Sequence, residues 1–312
     1  MSDSNLQSIR ESGGIAARHQ ELSARVARLA PFDGAHETAL PSLTLNRGSV
    51  PTVCMPTVYQ PCLGIVVQGR KRALLNGEVF NYDALNYLVV SVTLPGLGQV
   101  VEATPENPYL SLRLNLDLDE IARLVLEMGE RGPSSVSADR GLFVARLDEP
   151  LLDAVLRMVK LLDTPADIGV LAPIVQREIY YRMLRGELGY RLVDLAQLEG
   201  GSRRVVRAIE WLKQHYAAPL RIEELAESVH MSPSALHHRF KAVTAMSPLQ
   251  YQKHLRLHEA RRLMFADGIE SATAGHRVGY ESASQFSREY RRLFGAPPRS
   301  EIARLRETGV SA

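Results

Sequence analysis

Apolar side chains along this chain follow more than one spacing, and each spacing predicts a different kind of element. Between residues 5 and 30, Leu22, Val26 and Leu29 recur at helical intervals, so an N-terminal helix is expected. From about Leu43 the period shortens, and LTLNR, CLGIVVQ, KRALL, EVFNY, NYLVVSV, GQVVEA and YLSLRLNL become short extended segments. Alternation is strictest from Tyr109 to Leu116, where Leu110, Leu112, Leu114 and Leu116 share one face. Asn76-Gly77, between RALL and EVF, predicts a type I′ hairpin because both residues tolerate positive φ. Roughly seven short strands in so short a span predict a small barrel or sandwich.

Helical spacing then returns. Leu118, Ile121, Leu124, Val125 and Met128 form one stripe, and Leu151, Leu152, Val155, Leu156, Val159 and Leu162 form another, followed by LAPIVQREIYYRMLRGELGYRLVDLAQL. Stripes of this kind pack against a barrel, with a dimer interface as the alternative. Breaks fall at Gly132-Pro133 and Gly200-Gly201-Ser202, and the second suits a flexible interdomain linker.

The last third carries one pattern twice. Ile222, Leu225, Ala226 and Val229 mark an apolar helix face; Ser232 then offers a cap, Pro233 suits a first helical position, and Leu236 and Phe240 make an i, i+4 pair. Ser234, His237, His238 and Lys241 are left on the outer face, the face that a recognition helix turns to a major groove. The plan repeats with a turn at Val278, Gly279 and Tyr280, where Ser282, Phe286 and Tyr290 answer to Ser232, Leu236 and Phe240. The outer set there is Ser284, Gln285, Ser287 and Arg288, flanked by Arg291 and Arg292. Between the units, PLQYQKHLRLHEARRLM predicts one long helix, with Leu249, Leu255, Leu257, Ala260 and Leu263 interleaved among basic and imidazole side chains.

These residues carry a family resemblance. From Trp211 to Pro298 the chain closely resembles the DNA-binding domain of the AraC/XylS family of transcriptional regulators, in MSPSALHHRFK, LRLHEARRLM, VGYESASQFSREYRRLFGAPP and the closing Pro297-Pro298. The resemblance implies a monomeric domain of seven helices whose two recognition helices enter successive major grooves, roughly 34 Å apart. It makes Ser234, His237 and His238, with Ser284, Gln285, Ser287 and Arg288, the base-facing candidates. Ser271 stands where the family usually has an aliphatic residue and Gly275 where it usually has alanine. A mid-helix glycine costs about 1 kcal/mol relative to alanine, so the first unit is expected to anchor binding and the second to vary in its engagement.

Upstream, PSLTLNRGSVPT, YQPCLGIVVQGRKR, FNYDALNYLVVSVTLP and YLSLRLNLDLDEIARL resemble the AraC-type regulator N-terminus, over roughly Pro41 to Leu124. That resemblance implies a cupin-like regulatory domain that binds a small-molecule effector or mediates dimerisation. The expected fold class is therefore α+β: an N-terminal cupin-like β-barrel with flanking helices, then an all-α domain with two helix-turn-helix motifs. The expected division is a helical arm at 1–40, the cupin-like domain at 41–118, a helical dimerisation and linker region at 119–200, the double helix-turn-helix domain at 203–302 and a tail at 303–312. The expected partners are double-stranded DNA, a small effector, a second copy of the chain and RNA polymerase.

Charge agrees with this division. From Gly200 onward there are 18 Lys/Arg against 11 Asp/Glu, leaving 19 against 24 before it, so the net +2 conceals a basic domain joined to an acidic one. A basic third is the footprint of a phosphate-contacting surface. Arg204, Lys213, Lys241, Lys253, Arg291, Arg292 and Arg299 are the phosphate candidates as a group, although any one of them alone would be an ordinary solvated charge.

Composition narrows the alternatives. No apolar run approaches the roughly 18 residues of a membrane span, and MSDSNLQSIRESGG lacks a secretory pattern, so a cytoplasmic protein is expected. A metal-dependent cupin enzyme needs clustered histidines, yet only His19 and His36 precede residue 200 and neither lies in a predicted strand. Glu78, Asp83 and Glu102 suit solvated hairpin edges. No GxSxG, Walker or dinucleotide fingerprint is present. No metal, cofactor or catalytic residue is therefore expected. A catalytic cupin tethered to DNA and an effector-independent DNA binder remain the alternative classes.

Cys54, Tyr59, Cys62, Gln68, Tyr82, Tyr87 and Tyr109 are the effector-pocket candidates, with barrel core as the plainer role for each. A cysteine held as an exposed thiolate near Arg47 or Arg70 would sense oxidants or electrophiles, whereas a buried one is structural. The expected mechanism is effector-dependent reorientation of the DNA-binding domains about the Gly200 region.

Overall fold

The computed structural model describes residues 3–129, 140–196 and 201–308. The N-terminal helix α1 (Asp3–Leu29) leads into β1 (Gly34–Glu37), β2 (Leu43–Gly48), β3 (Met55–Tyr59), β4 (Cys62–Gln68), β5 (Arg70–Leu75), β6 (Glu78–Asp83), β7 (Asn86–Val90), β8 (Leu94–Glu102) and β9 (Tyr109–Asn115). Next come α2 (Leu118–Glu127), β10 (Leu142–Arg146), α3 (Glu149–Lys160), α4 (Ile168–Arg185) and α5 (Gly189–Ala196). The strands form two antiparallel sheets, one in the order β1-β2-β9-β4-β7-β10 and one in the order β3-β8-β5-β6.

Strand alternation sorts the core into layers. On β4, Leu63, Ile65 and Val67 face the helices α1 to α5, whereas Cys62 and Val66 face the second sheet. β9 follows the same rule, with Leu110, Leu112 and Leu114 on the helical side and Tyr109 on the other. The leucine alternation read from sequence therefore fixes which face of the larger sheet receives the helices. The stripes on α2 and α3 point into that same layer, so they serve packing. Asn76 and Gly77 take φ of 46° and 91°, and β5 pairs with β6 across them as a type I′ hairpin requires.

Three strands escape the sequence pattern, and all three are edges: β1 and β10 close the larger sheet and β3 closes the smaller. An edge strand needs less alternation because one of its sides meets no neighbour. β3 even carries Pro56, which an edge tolerates and a central strand does not.

Among the described residues seven helices follow: α6 (Gly201–His215), α7 (Ile222–Ser228), α8 (Pro233–Thr244), α9 (Pro248–Ala266), α10 (Ser271–Arg277), α11 (Ala283–Phe294) and α12 (Pro298–Thr308). The first four do not stand apart from the barrel. Val92, Leu94 and Leu142 share one buried cluster with Val205 and Leu212 of α6, Phe240 of α8 and Tyr251 of α9. The Tyr251 hydroxyl, fully buried, donates to the Thr93 carbonyl at 2.7 Å. The second unit closes its own cluster around Ala260, Val278, Phe286 and Tyr290.

Of the two predicted breaks, Gly132-Pro133 and Gly200 lie outside the described residues. Gly201 and Ser202 already belong to α6, and the Ser202 hydroxyl donates to Asp194 of α5. The described part of the expected flexible linker is thus helical and tied down.

Candidate nucleic-acid interface

Each recognition helix is started by a serine and held by an aromatic face. Ser232 Oγ accepts the Ala235 amide at 3.2 Å to cap α8, and Ser282 Oγ accepts the Gln285 amide at 3.3 Å to cap α11. Leu236 and Phe240 are buried on α8, as are Phe286 and Tyr290 on α11. In both units the supporting helix hands over through a residue with positive φ, His230 at 54° and Gly279 at 91°. The connecting helix α9 begins with a complete capping box between Ser247 and Gln250. Its sequence stripe is imperfect, since Leu249 is 51% exposed.

The outer faces are polar and open. Ser234, His237 and His238 on α8 are exposed, as are Ser284, Gln285 and Arg288 on α11, and Ser287 is half-buried. Gln285 is oriented by a bond from its Nε2 to Glu289 Oε1 at 3.2 Å. Glu289 also takes the Tyr280 hydroxyl at 2.8 Å and the Lys253 ammonium at 3.2 Å, and these partners hold its carboxyl below the usual range against the opposing effect of burial.

The phosphate candidates separate into groups. Lys241, Arg291 and Arg292 are exposed on the recognition helices. Lys253 is paired with Glu289, and Arg299 with Glu270. Arg204 donates to the His230 carbonyl at 3.0 Å and so supports the first turn. Lys213 pairs with Glu210 at 3.0 Å and lines a cleft beneath the barrel.

Two arginines of α9 are structural. Arg256 donates to the carbonyls of Tyr216 at 2.6 Å, Gly279 at 2.9 Å and Ala218 at 2.9 Å, so α9 fixes the turn of the second unit. Arg261 is buried against Glu301 at 2.9 Å, and Glu301 Oε2 accepts the Tyr290 hydroxyl at 2.9 Å. A buried pair of this kind costs about 3–5 kcal/mol when one partner is removed. Nothing local in RLHEARRLM distinguishes these arginines from their exposed neighbour Arg262.

Two clefts lie between barrel and helices. The larger, about 700 Å³, has Met55, Val58 and Tyr59 on one side with Leu255 and His258 on the other, and Lys71, Lys213, Arg261 and Arg262 around it. Lys71 has no carboxylate within ion-pair distance among the described residues, and its ammonium lies 5.7 Å from the centre of the Tyr109 ring. His258 is half-buried, its Nε2 buried and without a hydrogen-bond partner among the described residues, and burial pushes its pKa down to about 3, so the ring is neutral at physiological pH. The smaller cleft, about 600 Å³, is lined by Asn76 and Arg140 together with Ser234, His237, His238 and Lys241.

Four of the seven effector-pocket candidates, Tyr59, Cys62, Tyr82 and Tyr109, gather in one cluster between the sheets, and Tyr87 lies outside it. Of the seven, Tyr59 lines the larger cleft, and its hydroxyl donates to the Leu97 carbonyl at 3.0 Å. Cys62, Tyr82 and Tyr109 are packed in the core between the sheets. Tyr87 is buried on the opposite, helix-facing side, and Gln68 is held by bonds to Pro108 O and Ser23. Burial pushes the Cys62 thiol up to about 11, which keeps it protonated and unreactive at neutral pH. Cys54 is exposed.

Residues 39–191 match the AraC-type transcriptional regulator N-terminus, and residues 225–304 match a helix-turn-helix domain. The HTH-type transcriptional activator RhaS of Salmonella agona (strain SL483) is 30% identical over 161 residues, which take in 49% of this chain and 55% of that protein. The chain thus spans about half the length of the curated relatives it matches. Among solved structures, ToxT from Vibrio cholerae superposes with a TM-score of 0.58 at 10% identity, over 84% of this chain and 98% of that one, a likeness of fold. ToxT from strain SCE256 bound to an unsaturated fatty acid gives 0.55 at 9% identity, over 90% of this chain and 100% of that one.

Gly275 stands in α10 where Ala226 stands in the first unit, each accepting the turn amide, from Tyr280 and Met231 respectively. A Cβ at 275 would lie 2.9 Å from Cγ and Cδ1 of Phe286, so the glycine is what lets the larger Phe286 sit where the first unit has Leu236. The apparent weak point is therefore a close-packed contact. Gly275→Ala gains about 1 kcal/mol of helix propensity. It loses about 1–3 kcal/mol to overpacking, for a net destabilisation of about 1 kcal/mol that thermal unfolding should register. Adding Phe286→Leu should make the alanine neutral or favourable. An unchanged or raised melting temperature in the single variant would show that the contact is not tight.

Proposed function

The chain belongs to the AraC/XylS family of transcriptional regulators, and from that premise we propose that it is a sequence-specific DNA-binding regulator that reads duplex DNA with α8 and α11 and answers to a small effector. The observation that carries the reading is the pair of serine-capped helices, one buried by Leu236 and Phe240 and the other by Phe286 and Tyr290, each exposing polar side chains on its other face. Bases are read by His237, His238 and Ser234 in one groove and by Arg288, Gln285, Ser284 and Ser287 in the next, while Lys241, Arg291 and Arg292 meet phosphates. The protein acts in the cytoplasm, has no catalytic step, and engages RNA polymerase when bound.

Effector occupancy of the larger cleft reorients the helices. The cleft combines apolar walls from Met55, Val58 and Leu255 with the unpaired Lys71 ammonium, which suits an amphipathic carboxylate. The fatty-acid-bound ToxT structure favours the same ligand class. The chain also forms a homodimer through α4, where Val170 is 70% and Ile174 61% exposed on a face that the barrel leaves uncovered. An isologous pairing would bring this stripe against its own copy.

His238→Ala and Arg288→Ala should each relax discrimination at particular base pairs by about 1–3 kcal/mol. Equal weakening on every sequence would remove their base-reading roles. Oleate, titrated calorimetrically into the full chain, should bind, and Lys71→Met should weaken it roughly tenfold or more, the scale of a charge-assisted bond of about 1.5–3 kcal/mol. Binding that ignores the substitution would exclude Lys71 as the carboxylate's partner. Ile174→Glu should convert a dimer to a monomer in light scattering, and a wild-type monomer at micromolar concentration would refute the α4 interface.

A further inference from the structure

Three donors from the N-terminal half make four hydrogen bonds to the end of the first recognition helix. Asn76 Nδ2, at the tip of the β5–β6 hairpin, donates to the Ala245 carbonyl at 2.7 Å. Arg140 Nη1 donates to the carbonyls of Ala242 at 2.6 Å and Lys241 at 3.2 Å. The Gly141 amide donates to the Val243 carbonyl at 2.9 Å. These carbonyls belong to the last turn and exit of α8, where a helix runs out of partners and carries its negative dipole end. The guanidinium is itself held by Glu78, whose carboxylate takes Arg140 Nε at 2.8 Å. That ion pair lowers the Glu78 pKa and raises that of Arg140.

The same two residues stand beside the base-reading side chains. Asn76 and Arg140 share the smaller cleft, about 600 Å³, with Ser234, His237, His238 and Lys241. A recognition helix in a major groove, about 12 Å wide and 8.5 Å deep, has a sugar-phosphate wall along each side. The hairpin tip stands beside that face of α8, and the Glu78 carboxylate is brought to the same helix end.

We propose that Asn76 and Arg140 form an autoinhibitory clamp, capping the C-terminal end of α8 from the other domain and barring a major groove from its reading face until they let go. The clamp rests on the DNA-reading role of α8 and adds a closed state to it. Its parts are local: the tip of an edge hairpin, one arginine side chain and one backbone bond. Glu78 is the positioning residue, because its carboxylate aims the Arg140 guanidinium.

The test uses the full chain and duplexes that the wild-type protein selects from a random-sequence pool. Saturating DNA should speed hydrogen exchange at the Gly141 amide by tenfold or more. The double variant Asn76→Ala, Arg140→Ala should bind the selected duplexes at least threefold tighter than wild type. Glu78→Gln, at a solvent-accessible position that keeps the protein folded if the double variant fails, should speed Gly141 exchange without DNA. Gly141 protection that survives saturation with DNA, or folded variants that bind no tighter than wild type, would overturn the clamp alone. A wild-type chain that selects no duplex would overturn the DNA-reading role and the clamp with it.

Discussion

The apolar seam between the barrel and the first helix-turn-helix unit governs how this molecule presents its DNA-reading surfaces. Val92, Leu94 and Leu142 on one side and Val205, Leu212, Phe240 and Tyr251 on the other bury one continuous core. Each large side chain so buried contributes about 1.5–3 kcal/mol. Any motion that separates the two halves must expose several of them, so the first unit moves with the barrel or at substantial cost. A displacement of the barrel is therefore carried to α8 mechanically, through rigid packing.

The second unit is differently situated. Its core is separate from the seam, although Met55 of β3 and Tyr216 pack against it, and α9 ties it in further, by Arg256 to the Gly279 turn and by Arg261 through Glu301 to Tyr290. Because Arg261 also lines the larger cleft and reaches toward the Pro56 carbonyl at 3.4 Å, one buried side chain touches the cleft, the edge strand β3 and the support of α11. The two reading helices are thus coupled to the barrel by different physics. One is held by apolar burial and helix-end hydrogen bonds, the other chiefly by a buried ion pair whose Arg261 also lines the larger cleft.

Electrostatics reinforce the contrast. The basic C-terminal third looks uniform in the sequence, yet its charges divide into three uses: Arg256 and Arg261 are structural, Lys253 and Arg299 are paired with carboxylates, and Lys241, Arg291 and Arg292 remain exposed on the recognition helices. A count of basic residues measures the long-range field that draws DNA in. Which of them can touch a phosphate depends on where their partners lie.

The sequence by itself determined whatever is written in short-range periodicity and capping. The leucine alternation of β9, the Asn76-Gly77 turn, the serine caps at 232 and 282 and the aromatic faces behind them are all local, because a strand period, a turn type or an N-cap depends on residues within a few positions of one another. The tertiary structure alone decided the rest. Edge strands β3 and β10 owe their pairing to partners distant in sequence, β8 and β7, and Gly275 is a fitted contact rather than a defect because Phe286 packs against it. Tyr87 parted from Cys62, Tyr82 and Tyr109 to the opposite side of the larger sheet, while the bond from Asn76 to Ala245 joins residues 169 positions apart. No local pattern encodes such a pairing, since it exists only once burial of the seam has brought the two halves together.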